Sequence, residues 1–314
     1  MKIEVIIPNY NGYDLISKNL PYVLNVISKY KNIALTFVDD GSDKEDYSRT
    51  LDYIENTRKK YDLEIKLIRL DKNRGFSYAV NKGVFASNAD LVVLLNTDVK
   101  PENKFLDFVL KDFLLNKDLF GVGCLDKSEE GKEIVLKGRG VGVWNKGFMQ
   151  HSKGEVNKNN TFWVSGGSSI LKRDIFEKLG GFDELYNPFY WEDIDLSFRA
   201  QKTGYRVIFE KESAVIHEHS KGSIIKHYNT FQIKSIAYKN QFIFVWKNIT
   251  DLNLIISHLM WLPYHFATAV LRKDTAFFNG FFLALVLFPV IIFKRLKQKK
   301  LFVRSDKEVF EMCK

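Results

Sequence analysis

Glu192 and Asp193 stand side by side in the run Pro188-Phe189-Tyr190-Trp191-Glu192-Asp193-Ile194-Asp195. Carboxylates set among aromatic rings lose part of their hydration, which raises their proton affinity. A carboxylate poised this way can take a proton from a reacting hydroxyl as a general base. The same pair also suits the first turn of a helix, where the dipole favours negative charge. Taken alone, the stretch supports base and helix start evenly. Asp195 and Arg199, four apart, read as an ion pair on the surface of that helix.

Three more polar clusters each follow an apolar run. Pro8-Asn9-Tyr10-Asn11 closes the first. Asp39-Asp40-Gly41-Ser42 closes the second; its carboxylates can accept hydrogen bonds from a ribose and a base, or cap the helix that follows. Asn96-Thr97-Asp98 closes another and offers oxygen ligands two residues apart, which point the same way in an extended segment. Mg²⁺ and its like bind one or two carboxylates plus substrate phosphates; the plain alternative is a turn in which Asp98 caps a helix after Pro101. Arg74, in Asn73-Arg74-Gly75 before a helix, can hold an anion or be a surface charge. His217, between Ile216 and Glu218, can complete a metal site through its neutral imidazole or be structural.

The elements that position these residues alternate. Strands are predicted over 2–7, 33–38, 63–70 and 91–95, with helices over 14–30, 44–60 and 75–87 between them. Such alternation predicts a mostly parallel sheet with helices on both faces, and sheets of this kind bind ligands at the carboxyl ends of their strands. Residues 119–172 read as glycine-rich and less regular, with short strands near 134–144 and 161–171 and a polar, mobile loop over 151–160. Strands follow at 205–209 and 214–216. From about 225 the character changes. One aromatic-rich helix is predicted over 225–247, then the apolar segments 252–271 and 276–293, then five basic residues in 294–300. This divides the chain into a unit of 1–224 and a separate C-terminal module of 225–314.

The 314 residues are 46% hydrophobic, enough for a sizeable core, and carry a net charge of +9, which favours anionic partners such as nucleotides, phosphates or acidic lipid. Cys124 and Cys313 offer neither a disulfide framework nor a clustered metal site. The apolar run Val5–Ile7 before Pro8 is too short for a secretion signal, so the chain is expected on the cytoplasmic side. No G-x-G-x-x-G follows the first strand and there is no Walker loop, which argues against a dinucleotide oxidoreductase and a P-loop NTPase.

The order IIPNYN, VDDGS, NRGFSYAVNKG, LLNTD, GGFDE, WEDIDLSFRAQKTGY and a following histidine resembles the family 2 glycosyltransferases of the GT-A nucleotide-sugar fold, nearest to rhamnosyltransferase-like and galactofuranosyltransferase-like members of bacterial cell-surface glycan pathways. The resemblance covers residues 1–225. It implies inverting transfer of a sugar from a nucleotide-sugar donor, UDP- or dTDP-linked, to a glycan or polyprenyl-linked acceptor, with Mg²⁺ or Mn²⁺ as cofactor. By position, Asp40 matches the acid that reads the base, Asp98 the metal-binding acid, Asp193 the catalytic base beside Glu192, and His217 the histidine that can join the metal. Asn96 stands where many members carry Asp, so the metal is expected to be weakly held and to arrive with the donor diphosphate. Pro8, Asn9, Tyr10 and Arg74 complete the expected donor site. Tyr190 and Trp191 would floor the sugar site, since aromatic faces suit the apolar side of a pyranose. Trp163, Gly166 and Gly167 would shape the acceptor side, the glycines allowing close backbone approach. No nucleic acid is expected; a second copy of the chain is left open as a partner.

Two other classes remain. A nucleotidyltransferase would carry a basic, glycine-rich phosphate loop where this chain has PNYNGYD, and an inactive glycan-binding protein would have lost the Asp193-type carboxylate. The C-terminal module is expected to lie on the cytoplasmic membrane face without crossing it, the alternative being that its apolar segments pack as ordinary core on the first unit or on a second copy. Asn279, Gly280 and Pro289 interrupt one apolar segment and His258, Pro263 and His265 the other, and either crossing topology would place basic residues outside.

Overall fold

The computed structural model describes residues 1–131, 133–218 and 228–313. Its first third alternates as the sequence predicts: β1 (Ile3–Asn9), α1 (Tyr13–Ile27), β2 (Ile33–Asp39), α2 (Lys44–Arg58), β3 (Glu64–Arg69), α3 (Phe76–Ala86) and β4 (Leu91–Leu95). Strands β3-β2-β1-β4 are parallel neighbours. Their side chains alternate between faces. Val5, Ile7, Val93 and Leu95 pack with α1 on one side; Ile6, Val92 and Leu94 pack with α3 on the other.

The chain continues through β5 (Val99–Pro101), α4 (Asp107–Leu115), β6 (Leu119–Glu130), β7 (Glu133–Lys137), β8 (Gly140–Asn145), β9 (Phe148–Lys153), β10 (Ser168–Lys172), α5 (Arg173–Lys178), α6 (Glu192–Lys202) and β11 (Arg206–Glu218). This half of the sheet is mixed rather than parallel. β10 runs antiparallel to both β4 and β6, β6 and β11 are parallel, and β5 is antiparallel to β11.

Several expectations are corrected here. Residues 119–130 form a twelve-residue strand in the stretch expected to be irregular. Its glycines serve packing: a Cβ at Gly121 would lie 2.7 Å from the Leu171 side chain, and one at Gly123 would lie 3.3 Å from Val164. The polar loop expected from 151 begins as strand β9, paired with β8. The two strands expected at 205–209 and 214–216 are one strand, with a register shift between Glu210 and Ala214.

After residues 219–227, which include the expected domain boundary and His219 and lie outside the described residues, come α7 (Thr230–Asn248), α8 (Leu252–Leu271), α9 (Thr275–Val286), α10 (Phe288–Lys299) and α11 (Asp306–Glu311). α7 starts at Thr230 behind an Asn229–Gln232 capping box; residues 225–227 of the helix expected over 225–247 lie outside the described residues. The apolar segment expected as one helix over 276–293 is two, α9 and α10, bent by 62°. These helices share a core with the N-terminal unit: Phe148, Phe162, Trp191 and Phe198 cluster with Phe242, Phe244, Phe277 and Phe310.

Candidate active site

The strand ends do gather the candidate residues. Asn9, at the end of β1, donates to Asp39 across the β1–β2 edge (3.3 Å). Pro8 is half-buried beside it, and Tyr10 is exposed. Neither Asp39 nor Asp40 caps α2; Asp43 does, accepting from the Asp46 N–H. Asp40 instead reaches across to the next loop, where its two oxygens accept from the N–H groups of Arg74 and Gly75, each at 2.8 Å. Burial pushes the Asp40 carboxyl up and these two bonds oppose the shift. The Arg74 side chain is exposed, 3.7 Å from Asp71 and stacked over Tyr78.

From Arg74 the connection runs to the aromatic corner. The Arg74 carbonyl accepts from the Asn187 amide (3.2 Å). Asn187 precedes Tyr190 and Trp191, both left-handed at φ 68° and 78°. Two successive non-glycine residues in that region are strained and persist only where surroundings hold them. The holder is Asn240 of α7, whose amide donates at 3.0 Å to the carbonyls of Tyr186, Phe189 and Tyr190. Tyr190 is thereby left half-exposed while Trp191 is buried.

This turn delivers Glu192 and Asp193 into the first turn of α6, so the helix-start reading is correct; the carboxylate also reaches outward. One Asp193 oxygen accepts from the Ile194 N–H (2.8 Å) and the other from the Gly166 N–H (3.2 Å). Burial raises both acids. Glu192 is pushed up to about 8, by burial first and then by the charge of Asp193, and its Oε2 has no hydrogen-bond partner among the described residues. Asp193 is also raised by burial, but the N–H donors favour its charged form.

Asp195 and Arg199, expected on the helix surface, are buried. Arg199 bonds Asp195 at 2.7 Å and donates to the carbonyls of Leu179 and Gly181. Asn81 of α3 grips the same Gly-Gly-Phe corner through both backbone groups of Phe182. Phe182, with Phe76, then walls Gly166, where an added Cβ would sit 3.1–3.4 Å from their rings. Gly167 closes the path to the other acids: its carbonyl accepts from the Asn96 N–H (3.0 Å), and a Cβ there would be 2.5 Å from the Asn96 amide. Trp163 lies farther out, edge-on to His151, which also packs against Trp191.

Asp98 caps no helix, since α4 begins at Asp107. It lies 3.2 Å from His217 Nε2, and His217 Nδ1 lies 3.1 Å from Asp126. Burial lowers the imidazole, but hydrogen bonds to Asp126 and Asp98 more than reverse this and raise it to about 9. Two ligands at about 2.1 Å from one Mg²⁺ and at right angles are ~3.0 Å apart, close to the Asp98–His217 separation. Asp126 stands where an outer carboxylate orients a metal-binding histidine. A divalent cation would take the place of the Nε2 proton that Asp98 now accepts, so the residues fit one only with the imidazole neutral. Among the described residues no three such side chains surround one point, so the protein would supply two ligands and leave the rest to phosphate and water.

Asp126, His151, Asn187 and Asn240 were not anticipated. Asp126 had a signal: it follows the apolar run Leu119–Leu125 as Asp98 follows Leu91–Leu95, but the glycines hid the strand.

The family model described as "Glycosyl transferase family 2" matches residues 4–180, and "Glycosyl transferase family group 2" matches 141–294. The chain is 27% identical over 217 residues to "Probable glycosyltransferase YdaM" of Bacillus subtilis, covering 66% of this chain and 48% of that protein. It is 33% identical over 188 residues to "N-acetylglucosaminyl-diphospho-decaprenol L-rhamnosyltransferase" of Mycobacterium tuberculosis, covering 50% and 61%. This chain thus spans about half to three-fifths of the length of these relatives. Among solved structures, S. aureus TarS 1–349 with UDP-GlcNAc superposes with TM-score 0.61 at 16% identity, over 99% of this chain and 91% of that one. GalNAc-T7 with UDP, GalNAc and Mn²⁺ superposes with TM-score 0.63 at 16% identity, over 79% and 48%. At such identity the likeness is one of fold.

Proposed function

We propose, from the premise that this chain belongs to glycosyl transferase family 2, that it moves a sugar from a nucleoside-diphosphate donor to a hydroxyl of a cell-surface glycan, with inversion. Family membership sets aside the nucleotidyltransferase reading. The observation that carries the proposal is the junction at Gly166-Gly167. Asp193 hydrogen-bonds one of these glycines, and Asn96, two residues from Asp98, hydrogen-bonds the other. The proton acceptor and the diphosphate-side acid are fixed against each other through backbone.

In this reading the Asp193 carboxylate takes the proton of the acceptor hydroxyl as its oxygen attacks the anomeric carbon. The bond from that carbon to the diphosphate oxygen breaks, and the electron pair leaves with the nucleoside diphosphate. Glu192, holding its own proton, adds no second charge beside the base. Asp40 accepts from the nucleotide base with the lone pairs its loop contacts leave over, and exposed Arg74 faces the phosphates. Asp98 and His217 would hold a divalent cation, which supplies charge neutralisation at the leaving diphosphate. Half-exposed Tyr190 presents the sugar floor, to which buried Trp191 adds little surface, and Trp163, Gly166 and Gly167 the acceptor side. The donor is UDP- or dTDP-linked in this proposal.

Asp98→Ala is expected to weaken UDP-sugar binding when Mn²⁺ is present and to have little effect in EDTA. Isothermal titration under both conditions decides it, and equal loss in both would remove Asp98 from the metal.

We also place the protein on the cytoplasmic face of a membrane. α8 is the helix long and apolar enough to span a bilayer among the described residues. It is held by one face: His258 bonds the Gly147 carbonyl (2.7 Å) and His265 that of Lys146 (2.7 Å). Leu259, Met260, Val270 and Leu271 on α8, with Phe282, Val286 and Phe293 on α9 and α10, remain exposed, an apolar surface of the kind that meets lipid. The basic segment 294–300 is not all available to headgroups, because Lys294 bonds Asp183 and Arg295 bonds the Trp246 carbonyl. The protein is expected to float with anionic liposomes, less with neutral ones, and to leave its tail open to protease in inside-out vesicles. Failure to float with either would assign this face to another protein surface.

A further inference from the structure

Lys239 of α7 is a buried cation, 8% exposed, that the reaction described above does not use. Burial pulls its ammonium down to about 8, and no carboxylate among the described residues offsets that pull. An apolar side chain of similar length would fill the space without this cost. What the lysine brings is an N–H donor on a long stem. The ammonium donates to the Asn187 carbonyl at 2.5 Å.

Asn240, the next residue, donates to the carbonyls of Tyr186, Phe189 and Tyr190. Two consecutive residues of α7 therefore hold four carbonyls of the stretch 186–190, which leads directly into the acid pair. Residues 187–191 belong to no helix or strand, and the stretch ends on two left-handed residues. Its carbonyls must find partners elsewhere, and its shape is imposed from outside. α7 can impose it because α7 is itself fixed. At helical spacing from Asn240, Phe244 packs on Trp191, and Lys247 bonds Asp183 and Asp195. The donors on α7 thus stand at a set place relative to the start of α6.

We propose that Lys239 is a positioning residue for the transfer: with Asn240 it makes α7 a template that sets where the Asp193 carboxylate stands. This role rests on the reading of Asp193 as the base. The groups assigned to the donor and to the proton all lie within residues 1–224, yet that unit alone lacks what aligns its base. Donor binding is separate. Asp40 is held by the N–H groups of Arg74 and Gly75, whatever α7 does.

The test uses the full-length protein with Lys239→Met, which keeps an unbranched side chain and removes the donor, and Asn240→Leu, which keeps size and removes the amide. Lys239→Met is expected to melt no lower than wild type, since it removes an uncompensated buried charge, and UDP affinity by calorimetry is expected to be unchanged in both. In protein carrying 5-fluorotryptophan, the fluorine resonance of Trp191, assigned with Trp191→Phe, is expected to shift or broaden in both variants. Donor consumption is followed with α-linked UDP- and dTDP-sugars. There kcat is expected to fall roughly tenfold in Lys239→Met, the scale of one hydrogen bond to a charged group, and ~10²-fold in Asn240→Leu, the scale of a 1 Å misplacement. Donor KM is expected to stay the same. Added to Asp193→Asn, neither change is expected to lower kcat further, because the group it positions is already gone.

An unchanged Trp191 resonance in Lys239→Met overturns the proposal, whether or not a donor is consumed and whether or not Asn240→Leu folds. So does a loss of kcat that persists in full on top of Asp193→Asn, which would place the effect elsewhere, or a melting point that falls in step with kcat, which would make Lys239 merely structural. Wild-type turnover by Asp193→Asn itself would remove the base, and this role with it. A base confirmed by Asp193→Asn, with wild-type kcat in the α7 variants, would remove the positioning role alone.

Discussion

Asp193→Asn is expected to lower turnover ~10²–10⁴-fold, the usual cost of removing a general base, while leaving donor affinity nearly intact. The substitution keeps size and the bond from the Ile194 N–H, and it removes the negative charge that would receive the acceptor proton. Glu192→Gln is the control. Because Glu192 already holds its proton up to about pH 8, the amide mimics the working state and is expected to keep most of the activity. It also has a stability signature. The unfolded carboxyl releases its proton near 4.5 and the folded one near 8, so the native state binds more protons across that window. Wild-type stability should therefore fall as pH rises from 4.5 to 8, and Glu192→Gln should flatten that slope. Near-normal turnover by Asp193→Asn in steady-state kinetics would exclude it as the base.

Lys247→Met is expected to cost about 3–5 kcal/mol, as breaking one side of a buried ion pair does, and to lower the melting temperature by on the order of 10 °C. Lys247 is fully buried and bonds Asp183 at 2.6 Å and Asp195 at 2.7 Å. Removing it leaves two buried carboxylates short of a cation. Lys294, which bonds Asp183 from a partly exposed position, should cost under about 1 kcal/mol when changed to Met. Burial pushes Asp183 up, but Lys247 and Lys294 together hold it well below the ordinary carboxylate value of 3.8. Its contribution is thus present above pH 3.8 and lost as the solution becomes more acid than that. Calorimetric melting of both variants decides the matter, and equal small losses would show that α7 and the catalytic half are not joined through this network.

The parts of the fold legible in the sequence were those set by local pattern. The βα alternation of residues 1–95 needed only apolar runs and the polar residues that end them, and the same runs pointed to Asn9, Asp40 and Asp98. What stayed hidden depended on contacts distant in the chain. Leu119–Glu130 reads as irregular because Gly121 and Gly123 lower strand propensity, yet they are what lets Leu171 and Val164 lie across the strand. Asp195 and Arg199 read as a surface pair because their spacing is that of one. Nothing local to them reveals that Lys247 and Asn248, some fifty residues later, close over Asp195. Asn240 and Lys247 look like a polar stripe on a free helix until the Tyr190–Trp191 turn and Asp183 are placed against them.

A single displacement assisted by one carboxylate fixes the anomer that forms first. The full-length protein, with Mn²⁺ and α-linked UDP- and dTDP-sugars, is followed by proton NMR at the anomeric position. At least one donor is expected to be consumed, the first product to carry the sugar with inverted, β configuration, and Asp193→Asn to consume the donor ~10²–10⁴-fold more slowly than wild type. A first product with retained configuration, or consumption by Asp193→Asn equal to wild type, would contradict that displacement.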